Sequence, residues 1–199
     1  MYAVNFEGLS ETEQATIKSI VPKQLNDVVT AGLTIGDRVI GRWFGSQAVS
    51  GGPRYAEFDL KRKTMATFLA TRCTRLTYVK KRVGQYVDGC EVEDGDLGQV
   101  QNSVFDNPNA GAVPEFVPSG IRVYVLGNTL LTGVTPRRRF HTMAHEITHR
   151  VIQTVDHWYG EQKCLDKAIQ NDVRAMRCAA NWGWFYTEVM ESLPATGSK

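Results

Sequence analysis

The chain has 199 residues, of which 42% are hydrophobic and 22% charged, and its formal net charge is +2. This length fits one large domain or two small lobes around a cleft, and the hydrophobic content is ordinary for a globular protein. The weak positive charge argues against nucleic acid or an anionic membrane as a partner, and no apolar run approaches the ~20 residues of a membrane span.

The beginning of the chain and its cysteines bear on localisation. Residues 1–7 lack the charged and apolar regions of a secretory signal. We therefore expect a mature fragment with an added methionine, a cytoplasmic protein, or one exported from the cytoplasm without a visible signal peptide. The four cysteines, Cys73, Cys90, Cys164 and Cys178, leave open two disulfides or buried thiols. If they pair, we expect the sequence-local pattern Cys73–Cys90 and Cys164–Cys178.

The first part of the chain, residues 1–72, is predicted to be mainly helical. The sequence from Ser10 to Glu13 has the pattern of a capping box, which opens a helix. A second helix follows Pro22, and residues 55–72 repeat apolar side chains at helical spacing. We expect Trp43-Phe44-Gly45 in the core or at a helix end, and the basic cluster 61–63 on a solvated face.

Residues 73–135 are predicted to be rich in β structure. The segment 74–83 favours a strand, and with the turn-rich segment that follows it suggests an antiparallel meander. Residues 102–119 are rich in Asn, Pro, Gly and Ala, which predicts a long loop, either a cleft wall or a plain surface excursion. Residues 121–126 alternate clearly and form the strongest strand pattern in the chain. By the family resemblance described below, this strand or a neighbouring one is expected at the edge of a substrate cleft, where it pairs with extended substrate.

Residues 136–192 carry the chemistry, beginning with a helix predicted over residues 138–152. It contains His145-Glu146-Ile-Thr-His149, a His-Glu-x-x-His motif. Because residues four apart share a helix face, His145 and His149 can both point an imidazole nitrogen at one tetrahedral zinc ion. Glu146 can then reach a metal-bound water and take its proton. The alternative is a helix whose histidines are solvated or bonded within the fold.

The surroundings of the motif favour the zinc site. All four histidines, His141, His145, His149 and His157, lie within this stretch, which follows a predicted strand. A further candidate ligand, Asp156, comes seven residues after His149, once the helix has room to turn. His141 is expected to be a partly exposed helix residue, with a contact to a ligand or to substrate as the alternative.

The residues 145–160 resemble the aspzincins, the family of deuterolysin and the peptidyl-Lys metalloendopeptidases. In that family His-Glu-x-x-His is followed by Gly-Thr-x-Asp-x-x-Tyr-Gly, and the segment from Thr154 to Gly160 matches everything except the first glycine, which is Gln153. The resemblance implies one zinc ion per chain, held by His145, His149 and Asp156. It implies that Glu146 is the general base and that Tyr159 stabilises the transition state or donates a proton.

Two further helices are predicted over residues 162–168 and 172–191, and the second of them carries a weaker resemblance. Cys178-Ala-Ala-Asn-Trp-Gly-Trp-Phe185 resembles the family's Asn-Ala-Asp-Asn-Tyr-x-x-Phe stretch, in which acidic residues of Lys-specific members line the pocket after the scissile bond. The positions that correspond here are Ala180 and Gly183, which cannot pair with a lysine ammonium. Trp182 and Trp184 are expected either to make that pocket apolar or to belong to the core. Secreted members of the family commonly carry disulfides, so the resemblance also supports the pairing Cys73–Cys90 and Cys164–Cys178.

Together these patterns predict an α+β, zincin-like metalloprotease with a small, mostly antiparallel sheet and a helical bundle, as a single domain over residues 1–199. The expected function is a zinc metalloendopeptidase that acts as a monomer on protein or peptide substrates. The same protease acting as a toxin-like effector in another cell is an alternative, and an inhibitor or immunity protein would then be its partner. A non-catalytic, zinc-stabilised interaction module is the alternative from another class, against which the glutamate of the motif argues.

Overall fold

The described part of the chain combines a four-stranded mixed sheet, a two-stranded antiparallel sheet and seven α-helices. The computed structural model describes residues 3–18, 22–73, 75–87, 90–91, 98–100, 120–126 and 134–194. The predicted loop 102–119 lies outside these residues, as does nearly all of the C-terminal tail. The α+β class predicted from the sequence is confirmed. In the part of the chain that the structure describes, no helix has the length and apolar character needed to cross a membrane.

The main sheet has four strands in the spatial order β1-β2-β6-β5. Its strands are β1 (Ala3–Glu7), β2 (Arg75–Lys81), β5 (Gly98–Val100) and β6 (Gly120–Leu126), while β3 (Tyr86–Val87) and β4 (Cys90–Glu91) form a separate antiparallel pair. β2 runs parallel to both β1 and β6, and β5 alone is antiparallel to its neighbour. The expectation of a mostly antiparallel sheet and of a meander after β2 is therefore wrong.

The parallel pairing has a simple cause in the order of the elements. Four helices lie between β1 and β2, and a crossover of that length returns the chain to the same end of the sheet. β6 pairs with β2 on one side and β5 on the other, so it is an interior strand. Of the two alternatives for the strand that pairs with substrate, this leaves a neighbouring strand, and among the described strands β5 lies at that edge of the sheet.

The helices follow the sequence patterns closely. They are α1 (Glu11–Lys18), α2 (Pro22–Ala31), α3 (Asp37–Phe44), α4 (Tyr55–Thr67), α5 (Pro136–Ile152), α6 (Glu161–Ile169) and α7 (Ala179–Ser192). The capping box is confirmed, because the Ser10 amide donates to the Glu13 carboxylate at 2.8 Å and the Glu13 amide donates to the Ser10 hydroxyl at 3.4 Å. α4 continues through a π-helical turn, Phe68–Arg72, to the end predicted for it.

The core is centred on an aromatic cluster where α3, α4 and α7 meet. The rings of Phe44, Phe58, Trp182 and Phe185 pack with centroids 4.7–5.7 Å apart, and all four side chains are buried. Gly45 follows this cluster and has φ of +86°. A Cβ there would lie 2.5 Å from the Asn171 carboxamide oxygen, so the loop after α6 approaches in a way that only glycine permits.

The expectation of a solvated basic cluster is wrong, because Arg62 in the cluster 61–63 is buried and donates to Tyr55, Asp59 and the Gly32 carbonyl. Of the two alternatives left open for the cysteines, the structure has buried free thiols at Cys73, Cys164 and Cys178, while the Cys90 side chain lies outside the described residues. Burial raises the pKa of Cys73 to about 11 and that of Cys164 to about 12, so both thiols remain protonated.

Candidate metal centre

Helix α5 is a buried, well-capped platform. The Thr135 side chain accepts a hydrogen bond from the Arg138 amide at 3.2 Å, and Pro136 takes the first helical position, where a missing N–H costs nothing. Side chains from Arg139 to Thr148 are buried, and α7 is the main neighbour of the helix. His145 and His149 therefore project from a helix whose position is fixed by packing along most of its length.

A left-handed turn ends α5 and reverses the chain toward the histidines. Gln153 has φ of 54° and ψ of 48°, and its amide donates to the Thr148 carbonyl. The ammonium of Lys61 on α4 donates to the Ile152 carbonyl at 3.0 Å, which satisfies one of the open carbonyls of the last turn. The residue that replaces the family's glycine thus adopts the conformation for which glycine is usually required.

The strained turn leads to a prediction about stability. Replacing Gln153 with glycine is expected to raise the free energy of unfolding by about 1 kcal/mol, because the left-handed conformation no longer crowds a Cβ atom. For a chain of this size that corresponds to a Tm increase of about 2–4 °C. Thermal unfolding measured by circular dichroism tests it.

The matched control is Gln170→Gly at the end of α6. Gln170 also caps a helix, but its φ is −73°, which any residue adopts. Glycine there should lower the Tm or leave it unchanged. If the two glycine variants shift the Tm equally, the turn at position 153 carries no strain.

The loop after the turn is tied to the beginning of α7. The Val155 amide donates to the Arg177 carbonyl at 2.8 Å, and the Ala179 amide donates to the Val155 carbonyl at 3.1 Å. Cys178 therefore has an extended backbone, with φ of −87° and ψ of 120°. The single helix expected over residues 172–191 is wrong for this reason: a 3₁₀ turn, Val173–Arg177, precedes α7.

A buried carboxamide holds the next part of the loop. The Trp158 indole donates to the Asn181 side-chain oxygen at 2.8 Å, and the Asn181 amide group donates to the Trp43 carbonyl at 2.7 Å. Asn181 is fully buried, so it links α3, α7 and the loop through hydrogen bonds that water cannot replace. The sequence motif pointed to Asn181, but nothing in the sequence indicated these partners.

Three candidate ligand side chains converge as a result of these constraints. The Nε2 atoms of His145 and His149 are 3.1 Å apart. One oxygen of Asp156 lies 3.1 Å from His145 Nε2, and the other lies 3.4 Å from His149 Nε2. All three side chains named from the sequence as metal ligands are therefore brought together.

These separations suit a tetrahedral zinc ion. Ligands that surround zinc tetrahedrally at about 2.0–2.1 Å lie about 3.3 Å from one another. The Nε2–Nε2 separation of 3.1 Å is close to that edge length, and each Asp156 oxygen lies at a similar distance, 3.1 or 3.4 Å, from one of the two nitrogens. The three groups would occupy one face of the tetrahedron, which leaves the fourth direction for water or substrate.

A second carboxylate, that of Glu146, lies beside the same point. His145, Glu146 and His149 form a cluster whose candidate ligand atoms all lie within 4.8 Å of one another. Glu146 is nevertheless the more distant carboxylate, with an oxygen 3.8 Å from His145 Nε2 against 3.1 Å for Asp156. Both carboxylates therefore lie close enough to the two imidazoles to share a metal site with them.

The hydrogen bonds behind His149 fix its tautomer. Its Nδ1 lies 2.8 Å from the Thr154 carbonyl oxygen, which only accepts, so Nδ1 carries the proton and Nε2 presents its lone pair. The Thr154 hydroxyl is 2.9 Å from the Thr148 hydroxyl, which donates to the His145 carbonyl at 2.7 Å. This pair of buried hydroxyls connects the loop to the helix at the level of the two histidines.

The hydroxyl pair leads to a second prediction. Thr148→Val and Thr154→Val are each expected to weaken zinc binding about tenfold, because the loop that carries Asp156 is held less firmly. The double variant should lose little more than either single variant, since each substitution removes the same contact. Competition with a chromophoric chelator measures the affinities.

Thr142→Val is the matched control on the same helix. Thr142 is buried as well, but its hydroxyl bonds only the Arg138 carbonyl of α5. Its zinc affinity should equal that of the unmodified protein. Losses in the two single variants that add in the double variant would show that the hydroxyls act separately.

Burial and the contacts among the three candidate ligands shift their pKa values. Burial lowers the pKa of His145, which keeps the imidazole neutral, as a ligand requires. Burial would raise the pKa of Asp156, but hydrogen bonds from His145 and His149 outweigh it and hold the pKa well below its usual range. Burial would also lower the pKa of His149, and the Asp156 hydrogen bond reverses this, so the His149 pKa is raised.

Tyr159 lies at the open side of the cluster. Its side chain is 64% exposed, and its ring stacks over that of His145 with centroids 6.2 Å apart. Partial burial and the neighbouring Asp156 carboxylate raise its pKa, so the hydroxyl stays protonated and able to donate. The structure thus brings all five residues named from the sequence into one place.

The remaining residues singled out from the sequence are mostly structural. His141 is buried rather than partly exposed, and its ring packs 4.0 Å from that of Trp184. Trp182 and Trp184 both belong to the core. Ala180 is fully buried, and a Cβ at Gly183 would lie 3.0 Å from the His141 ring, so α5 and α7 touch here. His157 is exposed.

One comparison with known proteins bears on the fold. The structure of a zinc peptidase from Grifola frondosa matches with a TM-score of 0.61 and 16% identity, over 90% of this chain and 97% of that one. No protein-family model and no curated protein matches the sequence. The resemblance carried by the motifs is confirmed at the level of the fold.

Proposed function

We propose that this protein is a zinc-dependent endopeptidase of the aspzincin type. The observation that carries the proposal is the convergence of His145, His149 and Asp156 at separations of 3.1–3.4 Å, with Glu146 beside them. The fold shared with a zinc peptidase supports the same reaction class. A site with three protein ligands and an open fourth direction is typical of catalytic rather than structural zinc.

The roles of the side chains follow from their positions. The ion, when bound, polarises the scissile carbonyl and acidifies a water molecule. Glu146 accepts the proton of the attacking water and delivers it to the leaving amine. Glu146 is 7% exposed, so its carboxylate works in a site from which most water is excluded.

Tyr159 and the sheet edge would act on the substrate. In this proposal the protonated Tyr159 hydroxyl donates to the oxyanion that develops on the carbonyl oxygen. Among the described strands β5 lies at an edge of the main sheet and contacts α5, and we assign to it the pairing with an extended peptide. Pairing through the backbone gives affinity with little dependence on sequence, as expected for an endopeptidase.

Metal content and cleavage of unfolded casein, measured on the same sample, test the proposal. We expect one zinc ion per chain, cleavage of casein, loss of both on treatment with a strong chelator, and recovery of both on adding zinc. A protein that cleaves equally well without metal contradicts the mechanism. Zinc bound without cleavage of any unfolded protein favours the non-catalytic interaction module.

The effector hypothesis is a finer proposal about biology and needs a separate test. Expression in a bacterial host with and without an export signal would reveal toxicity in either compartment. Toxicity that disappears in Glu146→Gln supports a toxin-like protease. Absence of toxicity in both compartments, with active protein present, argues against it.

A further inference from the structure

Arg138 lies on the same face of α5 as the two histidines. Position 138 precedes position 145 by seven residues, which is almost two helical turns and leaves the two side chains within about 20° around the axis. At about 1.5 Å per residue, the two Cα atoms are about 10 Å apart along the helix. Arg138 therefore lies on the helix face that carries the candidate metal ligands, almost two turns before His145.

The Arg138 side chain is half-buried against a wall of aromatic rings. Its guanidinium carbon lies 5.6 Å from the centroid of Trp184, and its Nη1 lies 3.5 Å from Nδ1 of His141. His141 in turn packs toward His145, with ring centroids 5.8 Å apart. A chain of contacts thus leads from Arg138 to the candidate metal centre.

The charge of Arg138 is not balanced by an acid within the described part of the chain. Burial lowers its pKa, and a thiol, Cys164, is the other group that acts on it; no described carboxylate does. Its neighbour Arg137 is the opposite case, with hydrogen bonds of 2.7–2.8 Å to Glu161 and Glu191. Arg138 also lies in the first helical turn, where the helix dipole is positive and disfavours a cation.

The geometry points to a subsite for a carboxylate of the substrate at Arg138, an inference that rests on the proposed peptidase function. An extended peptide advances about 3.3 Å per residue, so the carboxylate belongs within about three residues of the scissile bond. A planar guanidinium against an aromatic wall suits bidentate recognition of a carboxylate. An acidic side chain and the C-terminal carboxylate of a short peptide offer the same chemistry.

Two nearby positions have no acidic side chain that could pair with this charge. Position 183 is glycine, and a Cβ there would meet the His141 ring at 3.0 Å, so α7 cannot present a longer side chain without displacing the histidine. Position 180 is a fully buried alanine. Neither position therefore supplies an acid to the Arg138 guanidinium.

Matched peptides test the subsite. A peptide that the enzyme cleaves at one known bond is resynthesised with Glu or Gln at each of three positions on either side, with free or amidated C-termini. We expect one position at which Glu is preferred in kcat/KM by tenfold to a hundredfold, on the order expected of a charged hydrogen bond. A preference for free over amidated ends would identify the C-terminal carboxylate instead.

Substitutions at position 138 should change this ratio selectively. Arg138→Gln is expected to bring the Glu-to-Gln ratio close to 1, and Arg138→Glu to favour Lys at the same position. Arg138→Lys keeps the charge without the planar fork and should retain part of the preference. Peptide affinities measured by calorimetry on Glu146→Gln protein, with and without Arg138→Gln, should show the same pattern without turnover.

The control is Arg38→Gln, which removes an exposed arginine from the first turn of α3. Its Glu-to-Gln ratio of kcat/KM should equal that of the unmodified protein. A Tm equal to that of the unmodified protein shows that a variant is folded. The inference is overturned if the unmodified enzyme shows no preference for a carboxylate, or if Arg138→Gln and Arg138→Lys both keep the full preference. Failure of the unmodified protein to bind zinc or cleave any peptide would instead overturn the proposed function.

Discussion

Glu146→Gln protein is expected to bind zinc as tightly as the unmodified protein and to cleave casein on the order of 10²–10⁴-fold more slowly. Glutamine has nearly the same size and shape, so packing around this buried position changes little. Zinc binding should persist because the Glu146 carboxylate lies 3.8 Å from His145 Nε2, further than that of Asp156. The amide cannot accept the proton of the attacking water, so turnover is lost.

Zinc content and the initial rate of casein cleavage, measured side by side, give the result. Glu11→Gln is the control, because Glu11 is an exposed carboxylate in the first turn of α1. It should leave both quantities unchanged. Equal cleavage by Glu146→Gln and the unmodified protein would remove Glu146 from the mechanism, and loss of zinc would make it a ligand.

The local part of the site was predictable because it depends on short-range geometry. The spacing of His145 and His149 fixes a shared face on any helix, and the helix itself followed from its apolar side and from Pro136. The left-handed turn is less general, since it depends on one residue, Gln153, accepting a conformation that its side chain disfavours. The motif Thr154-x-Asp156 indicated that turn more strongly than the residue at position 153 did.

The parts that were missed depend on contacts distant in sequence. β1 pairs in parallel with β2, about seventy residues later, and no local pattern specifies which strands meet or in which direction. The extended Cys178 is similar: a helix pattern runs through it, but pairing with Val155 interrupts the helix. Helical periodicity cannot reveal an interruption whose cause lies in another segment.

His141 shows why burial was also misjudged. One turn before a metal ligand, a histidine is expected to share the open side of the helix with it. Here α7 approaches so closely at Gly183 that the His141 ring is enclosed. The sequence contains the signal, a glycine between two tryptophans, but it identifies a close contact only once its partner helix is known.

Asp156→Ala protein is expected to bind zinc more than about 100-fold more weakly, a loss larger than the 10–100-fold typical of residues that only support ligands. The Asp156 carboxylate bridges the two imidazoles at 3.1 and 3.4 Å, so its removal opens one of three protein positions around the ion. Water can fill that position but brings no negative charge. Casein cleavage at ordinary zinc concentrations should fall in parallel and recover in part when zinc is raised.

Asp27→Ala provides the comparison, because Asp27 is an exposed carboxylate on α2 and its removal should change neither affinity nor rate. Full zinc affinity in Asp156→Ala would show that this residue is not the third ligand. His141 is enclosed by Trp184 and Gly183, which makes it a poor substitute, whereas His157 is exposed and lies next to Asp156 in the chain. The double variant Asp156→Ala, His157→Ala would then decide the matter: it should lose zinc if His157 is the ligand, and it should match Asp156→Ala if His157 is not.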